Sequence, residues 1–119
     1  MAARVLVVED DPDLRKGICT VLDDAGYTCW PAENGEVALA RAREERPCVI
    51  LLDLMMPIMN GWEFRSEQLR DPKLSSIPVV IMTADGRAAD KARTLHADYL
   101  KKPIHLDALL ELVNDYCGA

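Results

Sequence analysis

The sequence predicts an α/β fold in which a five-stranded parallel sheet is covered by helices on both faces, a three-layer sandwich. Strand-like and helix-like segments alternate from one end of the chain to the other, which is typical of a parallel sheet with helical crossovers. Residues 5–8 and 49–52 are apolar at every position, as expected of strands that are buried on both faces. Right-handed crossovers would place the helices in the two outer layers.

Each element has a local signal. The strands are predicted at 5–8, 27–30, 49–52, 78–83 and 98–101, and the helices at 12–25, 36–45, 62–69, 86–95 and 105–117. Asp11 is a favoured N-cap, Pro12 a favoured first helical residue, and Gly26 a favoured stop. Pro31 closes the second strand, which suits a position near the sheet edge. A turn at 34–35 leads into the second helix.

The second half of the chain follows the same order. A loop at 53–61, punctuated by Pro57, separates the central strand from the third helix, and a second loop at 71–78 precedes the fourth strand. The last helix carries an apolar stripe. The stripe consists of Leu106, Leu109, Leu110, Val113 and Cys117.

Composition narrows the function classes. The 119 residues are 50% hydrophobic and 29% charged, which fits one globular domain spanning residues 1–119. The net charge of −6 argues against nonspecific binding to nucleic acid. No apolar stretch approaches the roughly 20 residues of a membrane span, and no signal peptide is visible at the start of the sequence. We therefore expect a cytoplasmic protein with no direct nucleic-acid or membrane partner.

The four cysteines do not predict a metal site. Cys19, Cys29, Cys48 and Cys117 have no Cys-x-x-Cys spacing and no histidine placed to complete a zinc site. They are interpreted as small, mostly buried side chains in a reducing cytosol, with Cys117 the one expected at the surface.

Four apolar runs end in, or lead into, chemically useful polar groups. These groups are Glu9, Asp10 and Asp11 after the first strand, Asp53 at the end of the third, Thr83 at the end of the fourth, and Lys101-Lys102 after the fifth. Parallel strands open at one edge of the sheet, where α/β proteins bind ligands, so these side chains should converge on one crevice. Crowding carboxylates there raises at least one pKa unless a cation intervenes. Asp11 is instead interpreted as the helix cap, and His96 and His105 as surface residues.

These motifs resemble the response-regulator receiver family, the CheY-like domains, over nearly the whole chain. The resemblance rests on Val-Glu-Asp-Asp-Pro at 8–12, Asp-Leu-Met-Met-Pro at 53–57, Asn-Gly at 60–61, Thr-Ala at 83–84 and Tyr-Leu-Lys-Lys-Pro at 99–103. It implies sheet order 2-1-3-4-5 and a phosphoryl-accepting aspartate, Asp53. It also implies a two-component phosphorelay in which a sensor histidine kinase or phosphotransfer protein supplies the phosphoryl group and a downstream protein is the target. The resemblance leaves open whether the domain forms a weak homodimer. It predicts no turnover of an external substrate.

The resemblance assigns site roles. Mg²⁺ would be held by Glu9, Asp10, Asp53 and the backbone carbonyl of Met55. Lys102, directly before Pro103, would pair with a phosphoryl oxygen in preference to its neighbour Lys101. Thr83 would hydrogen-bond another oxygen, and the Tyr99 ring would swing inward as part of the switch.

Two departures from the family pattern affect the output region. The segment between Thr83 and Lys102 is shorter than usual by about three residues, and the glycine expected near His96 is absent. A short or poorly ordered fourth helix and a damped or relocated response are expected, with Tyr99 and the last helix as the output surface. The main alternative is a receiver-fold interaction module that signals without phosphorylation.

Two other classes fit less well. Asp11-x-Asp13 imitates half of a haloacid-dehalogenase phosphatase motif, but it lies at a helix start. A flavodoxin-like carrier would need a first loop rich in Ser, Thr and Gly, whereas this loop is acidic. Whether the domain acts alone or belongs to a longer regulator stays open.

Overall fold

The computed structural model describes residues 3–118, so Met1, Ala2 and Ala119 lie outside the described residues. The strands are β1 (Arg4–Val8), β2 (Thr28–Ala32), β3 (Val49–Asp53), β4 (Val79–Thr83) and β5 (Asp98–Lys101). The helices are α1 (Pro12–Asp24), α2 (Gly35–Glu44), α3 (Gly61–Arg70), α4 (Ala88–Thr94) and α5 (Leu106–Cys117). All neighbouring strands are parallel, in the order β2-β1-β3-β4-β5. The predicted fold and the sheet order implied by the family are confirmed.

The central strands bury both of their faces. Every residue of β3 and β4 is buried, and alternate side chains contribute to two apolar clusters on opposite faces of the sheet. Ile18 and Leu22 of α1 and Leu109 and Val113 of α5 pack on one face. Phe64 of α3, with residues of α2, packs on the other. This packing fixes the strand ends from which the candidate site is built.

Local chemistry accounts for the helix starts. Asp11 caps α1 because its side chain accepts hydrogen bonds from the backbone N–H groups of Asp13 and Leu14 at 3.0 and 3.3 Å. Asn60 caps α3 in a reciprocal capping box with Glu63. The interpretation of Asp11 as a cap is confirmed. Among the described residues no helix has the length and apolar character needed to cross a membrane.

Two predicted details differ from the structure. β2 runs through Pro31, which pairs with Val7 of β1, instead of ending before it. This is compatible with ladder pairing because β2 is an edge strand and a proline can be accommodated there. Leu106, placed in the buried stripe of the last helix, is 45% exposed because it is the first residue of α5.

The prediction of small, separate cysteine side chains is wrong. Cys19 of α1 is disulfide-bonded to Cys29 of β2, and Cys48 is disulfide-bonded to Cys117, with Cα–Cα distances of 5.2 and 5.5 Å. No free cysteine remains between residues 3 and 118. Cys117 is also only partly exposed. Spacing along the chain could not reveal these pairs, because each forms only when the sheet brings distant segments together.

The α4 region is short, as predicted, and it has an unusual backbone at its end. α4 contains 7 residues. His96 has a φ of 53° at the position where the family pattern has glycine, a conformation that costs a residue with a Cβ about 1–2 kcal/mol. The exposure predicted for His96 and His105 is confirmed.

A buried polar network holds the end of α4 against α3. Arg65 donates to the backbone oxygens of Leu95 and His96 at 3.0 and 3.1 Å and to Gln68 Oε1 at 2.8 Å. Gln68, fully buried, donates in turn to the backbone oxygens of Leu74 and Ile77. Burial lowers the pKa of the Arg65 guanidinium. The network therefore ties α3 to the loops that precede β4 and β5.

Candidate functional site

Asp53 lies at the carboxyl end of the central strand β3. Its side chain is buried, with 4% of the residue exposed, and Oδ1 accepts a hydrogen bond of 3.2 Å from the Met55 N–H. Gly61 packs directly beneath it, since a Cβ on Gly61 would lie 2.7 Å from the Asp53 backbone oxygen. The Asn-Gly pair at 60–61 therefore permits a close approach of α3 to the strand end as well as a helix cap.

Glu9 and Asp10 follow β1, the strand next to β3. Carboxylate oxygens of Glu9, Asp10 and Asp53 all lie within 4.8 Å of one another. Glu9 is buried and Asp10 is exposed, while the Asp11 N–H donates to Glu9 Oε2 at 3.1 Å. The predicted convergence of three carboxylates at one sheet edge is thus present.

Lys102 reaches the same cluster from the end of β5. Its Nζ lies 2.8 Å from Glu9 Oε1 and 3.5 Å from Asp53 Oδ1. Its backbone N–H donates to the Thr83 carbonyl oxygen at 2.8 Å, which fixes the segment to the end of β4. Lys101 is exposed and pairs in register with Thr83 within the sheet. The structure therefore brings Lys102, and not Lys101, to the carboxylates.

The remaining predicted residues lie around this cluster. Thr83 ends β4 in a buried position, and its hydroxyl oxygen accepts a hydrogen bond of 3.1 Å from the Asp85 N–H. Tyr99 points outward and is 44% exposed. The Met55 side chain is 70% exposed, so its packing role is small and its contact with the site is through the backbone.

The charges of the cluster are strongly perturbed. Burial, followed by interaction with the Glu9 carboxylate, raises the pKa of Asp53 from 3.8 to about 7, although Lys102 and the Met55 N–H oppose the rise. Burial alone would lower the pKa of Lys102, but the hydrogen bond to Glu9 and the charges of Asp53 and Glu9 raise it overall. One lysine ammonium thus only partly neutralises three carboxylates.

The donor set suits a hard cation. Its side-chain atoms are carboxylate oxygens, two of them on buried residues, and Mg²⁺ prefers oxygen ligands and keeps several waters. The exposed Asp10 leaves the cluster open to solvent and to a phosphate-bearing ligand. Glu9, Asp10 and Asp53 therefore fit the ion that the family resemblance implied.

One supporting contact was not predicted from the sequence. An Arg15 guanidinium nitrogen donates to the Glu9 backbone oxygen at 2.7 Å, which secures the turn between β1 and α1. The sequence did contain a signal for this contact. Arg15 lies four residues after the N-cap Asp11, and helical side chains lean toward the N-terminus, so the Arg15 side chain reaches the connection between β1 and α1.

Comparison with known proteins agrees with this geometry. Residues 5–114 match the family described as the response regulator receiver domain. The chain belongs to that family. This receiver domain is 36% identical over 115 residues to the protein PilH of Pseudomonas aeruginosa, covering 94% of this chain and 95% of PilH.

Solved receiver structures share the fold. The chemotaxis response regulator CheY4 of Vibrio cholerae is 30% identical, with a TM-score of 0.88 over 98% of this chain and 99% of that one. The receiver domain of the sensor histidine kinase PA1611 from Pseudomonas aeruginosa PAO1 is 26% identical, with a TM-score of 0.88 over 100% of both chains. That structure contains a magnesium ion coordinated in the active site cleft.

Proposed function

We propose that this receiver domain takes a phosphoryl group onto Asp53 from a sensor histidine kinase or a phosphotransfer protein. The observation that carries the proposal is the buried Asp53 carboxylate, grouped with Glu9 and Asp10 within 4.8 Å and with the Lys102 ammonium at 3.5 Å. A carboxylate oxygen of Asp53 attacks phosphorus, the nitrogen–phosphorus bond of the donor phosphohistidine breaks, and an acyl phosphate forms.

Charge is the main obstacle to this reaction. Two unit charges about 4 Å apart repel by roughly 4 kcal/mol in an effective dielectric near 20, and both the Asp53 carboxylate and the incoming group are anionic. With its pKa raised to about 7, Asp53 is also partly protonated, and so partly non-nucleophilic, at neutral pH. Bound Mg²⁺ would supply positive charge that favours the ionised carboxylate and offsets the phosphoryl charge. Glu9, Asp10, Asp53 and the Met55 carbonyl would hold it.

Lys102 and Thr83 would then stabilise the product. The backbone hydrogen bond between Lys102 and Thr83 orients Lys102 toward the site. Lys102 Nζ lies near both Glu9 and Asp53, so it can shift from Glu9 toward a phosphoryl oxygen attached to Asp53. The Thr83 hydroxyl can exchange its contact with the Asp85 N–H for one with a second oxygen. Donors placed where phosphoryl oxygens sit are the main catalytic resource in such transfers.

The switch would run from Thr83 to Tyr99. Movement of Thr83 toward the phosphoryl group opens space on the β4–β5 side, and the exposed Tyr99 ring turns inward to fill it. The changed surface binds a downstream protein in the cytoplasm. The domain in this proposal transfers and loses its own phosphoryl group and turns over no external substrate.

Labelling with a small phosphodonor tests the proposal. Acetyl phosphate with Mg²⁺ should add one phosphoryl group, detected by intact mass spectrometry, and Asp53→Asn should abolish it. Asp24→Asn, which changes an exposed carboxylate at the end of α1, is the matched control and should label normally. Chelation by EDTA should suppress labelling.

The outcomes separate the candidate functions. Equal labelling of Asp53→Asn would remove Asp53 from the chemistry, and undiminished labelling in EDTA would remove the cation. A wild-type domain that binds Mg²⁺ but accepts no phosphoryl group from any donor would favour the phosphorylation-independent interaction module.

A further inference from the structure

The four cysteines form two pairs in different surroundings. Both disulfides border the apolar cluster between the sheet, α1 and α5, and all four residues are partly exposed. Disulfides are rare in reducing compartments, where those that form are usually transient and redox-active. The site at which such a bond would exchange with solution thiols can be identified from the groups around each sulfur.

Cys19 opens onto a surface groove with a cationic wall. The groove has a volume of about 340 Å³ and is lined by Pro12, Arg15, Lys16, Cys19 and Pro31. Arg15 and Lys16 precede Cys19 by four and three residues on α1, so the three side chains share one side of the helix. None of the described carboxylates belongs to the groove lining. A negatively charged molecule that enters it meets Cys19 together with two positively charged side chains.

Cys29 is placed differently. Its backbone N–H donates to the Asp23 carboxylate at 3.2 Å, so a negative charge lies beside this end of the disulfide, and Cys29 does not line the groove. Positive charge favours the thiolate that attacks a disulfide, whereas negative charge disfavours it. This asymmetry distinguishes Cys19 as the attacking sulfur and Cys29 as the resolving one.

We propose that Cys19 and Cys29 form a thiol–disulfide exchange site for small anionic thiols and their disulfides, of which glutathione is the probe. In the oxidising direction the Cys19 thiolate attacks one sulfur of glutathione disulfide, and one glutathione thiolate leaves. The Cys29 thiolate then attacks the Cys19 sulfur of the mixed disulfide and expels the second glutathione. The cysteine pair loses two electrons, which reduce glutathione disulfide to two glutathione molecules. Excess glutathione reverses both steps.

Site-resolved thiol mapping of the intact chain tests the proposal. The protein is equilibrated in glutathione buffers of stepped redox ratio, quenched with acid, alkylated and mapped by peptide mass spectrometry. We expect the Cys19–Cys29 pair to interconvert between dithiol and disulfide and to show a transient glutathione adduct on Cys19. Cys48 and Cys117, which lie outside the groove, serve as the internal comparison and should exchange more slowly. A Cys19–Cys29 pair that stays reduced at every ratio overturns the proposal.

Single cysteine variants test the assigned order. Cys29→Ser should accumulate glutathione on Cys19, and Cys19→Ser should carry much less on Cys29. Equal modification of the two variants overturns the assignment of Cys19 as the attacking residue.

A charge substitution tests whether Cys19 reacts because of the cationic groove or merely because it is exposed. In the Cys29→Ser background, Lys16→Gln should slow reaction of Cys19 with glutathione disulfide by roughly twofold to fivefold, the range of one surface charge contact. The same change should slow reaction with cystamine, a disulfide that carries positive charges, by a smaller factor, because only the effect of the lost charge on the Cys19 thiolate remains. Lys73→Gln, outside the groove, is the matched control. Equal slowing with both disulfides would show that the cationic wall does not select anions.

Discussion

Replacing Asp53 with asparagine should stabilise the metal-free domain, by an amount that grows with pH. Asparagine keeps the shape of the side chain and an oxygen that can accept the Met55 N–H, but it removes one negative charge from a cluster of three carboxylates. Among residues 3–118, Lys102 is the cationic residue paired with this cluster, at 3.5 Å from Asp53. The domain should therefore gain stability from the same change that abolishes its phosphorylation.

The raised pKa of Asp53 sets the magnitude. Because this pKa rises from 3.8 to about 7 on folding, the folded state holds the proton more tightly than the unfolded state does. The resulting penalty is absent below pH 3.8, grows as pH rises to about 7, and is complete above it. At about 1.4 kcal/mol for each pH unit, it reaches at most about 4 kcal/mol in the free energy of unfolding.

Urea unfolding of both proteins in EDTA, at pH 5 and pH 8, measures this penalty. The stability advantage of Asp53→Asn over wild type should be about 2 to 3 kcal/mol larger at pH 8 than at pH 5. Asp24→Asn should show no such growth, because its carboxylate is exposed and lies outside the cluster. An advantage that is the same at both pH values would refute the idea that burial and the neighbouring Glu9 carboxylate raise the pKa of Asp53 in the resting state.

Three further changes test other parts of the structure. His96→Gly should raise the free energy of unfolding by about 1 kcal/mol, because glycine adopts the positive φ of 53° without strain, and a lowered thermal midpoint would contradict this. Arg65→Met should lower the free energy of unfolding by about 2–3 kcal/mol, because the carbonyl oxygens of Leu95 and His96 lose their hydrogen-bond donor. Denaturant titration measures this loss. A loss below about 0.5 kcal/mol would mean that water replaces the guanidinium as donor. Mg²⁺ should raise the thermal midpoint of wild type, because it binds only the native state. Asp10→Asn should stabilise the metal-free domain and reduce the rise caused by Mg²⁺. Equal rises in the two proteins would show that Asp10 does not bind the cation.

Much of the fold and of the candidate site could be predicted because it depends on short segments. Strands buried on both faces are continuous apolar runs, so β1, β3 and β4 were located to within one residue. The strand fixes the position of the polar residue at its end, and parallel strands end at the same edge of the sheet. For this reason one sheet edge could be predicted for Glu9, Asp53, Thr83 and Lys102. The predicted end of β2 was wrong because Pro31 was expected to close the strand. The sequence does not show that an edge strand can include a residue without a backbone N–H.

The features that could not be predicted depend on distant contacts. Cys48 and Cys117 are separated by 69 positions and meet only because the last helix packs against the start of β3. Arg65 and Gln68 are polar residues of α3, and their partners include backbone oxygens in loops whose course the sequence does not specify. Likewise, only the folded geometry shows that the resting ammonium of Lys102 lies closer to Glu9 than to Asp53.

The two ends of α4 are held by different partners, and this determines how a phosphorylation signal can spread. At its start, the Asp85 N–H bonds the Thr83 hydroxyl oxygen, and the Asp85 carboxylate pairs with Lys91 at 2.8 Å. At its end, Arg65 binds the backbone oxygens of Leu95 and His96.

If Thr83 turns toward a phosphoryl group, the first attachment breaks while the second remains, so a helix of 7 residues should pivot about its C-terminal end. Amide chemical shifts with and without beryllofluoride, a phosphoryl mimic, should then change most at 84–91 and at Tyr99, and little at 93–96. In Arg65→Met the changes should extend to His96. Changes in wild type that continue undiminished through Leu95 would show that the Arg65 network does not restrain the response.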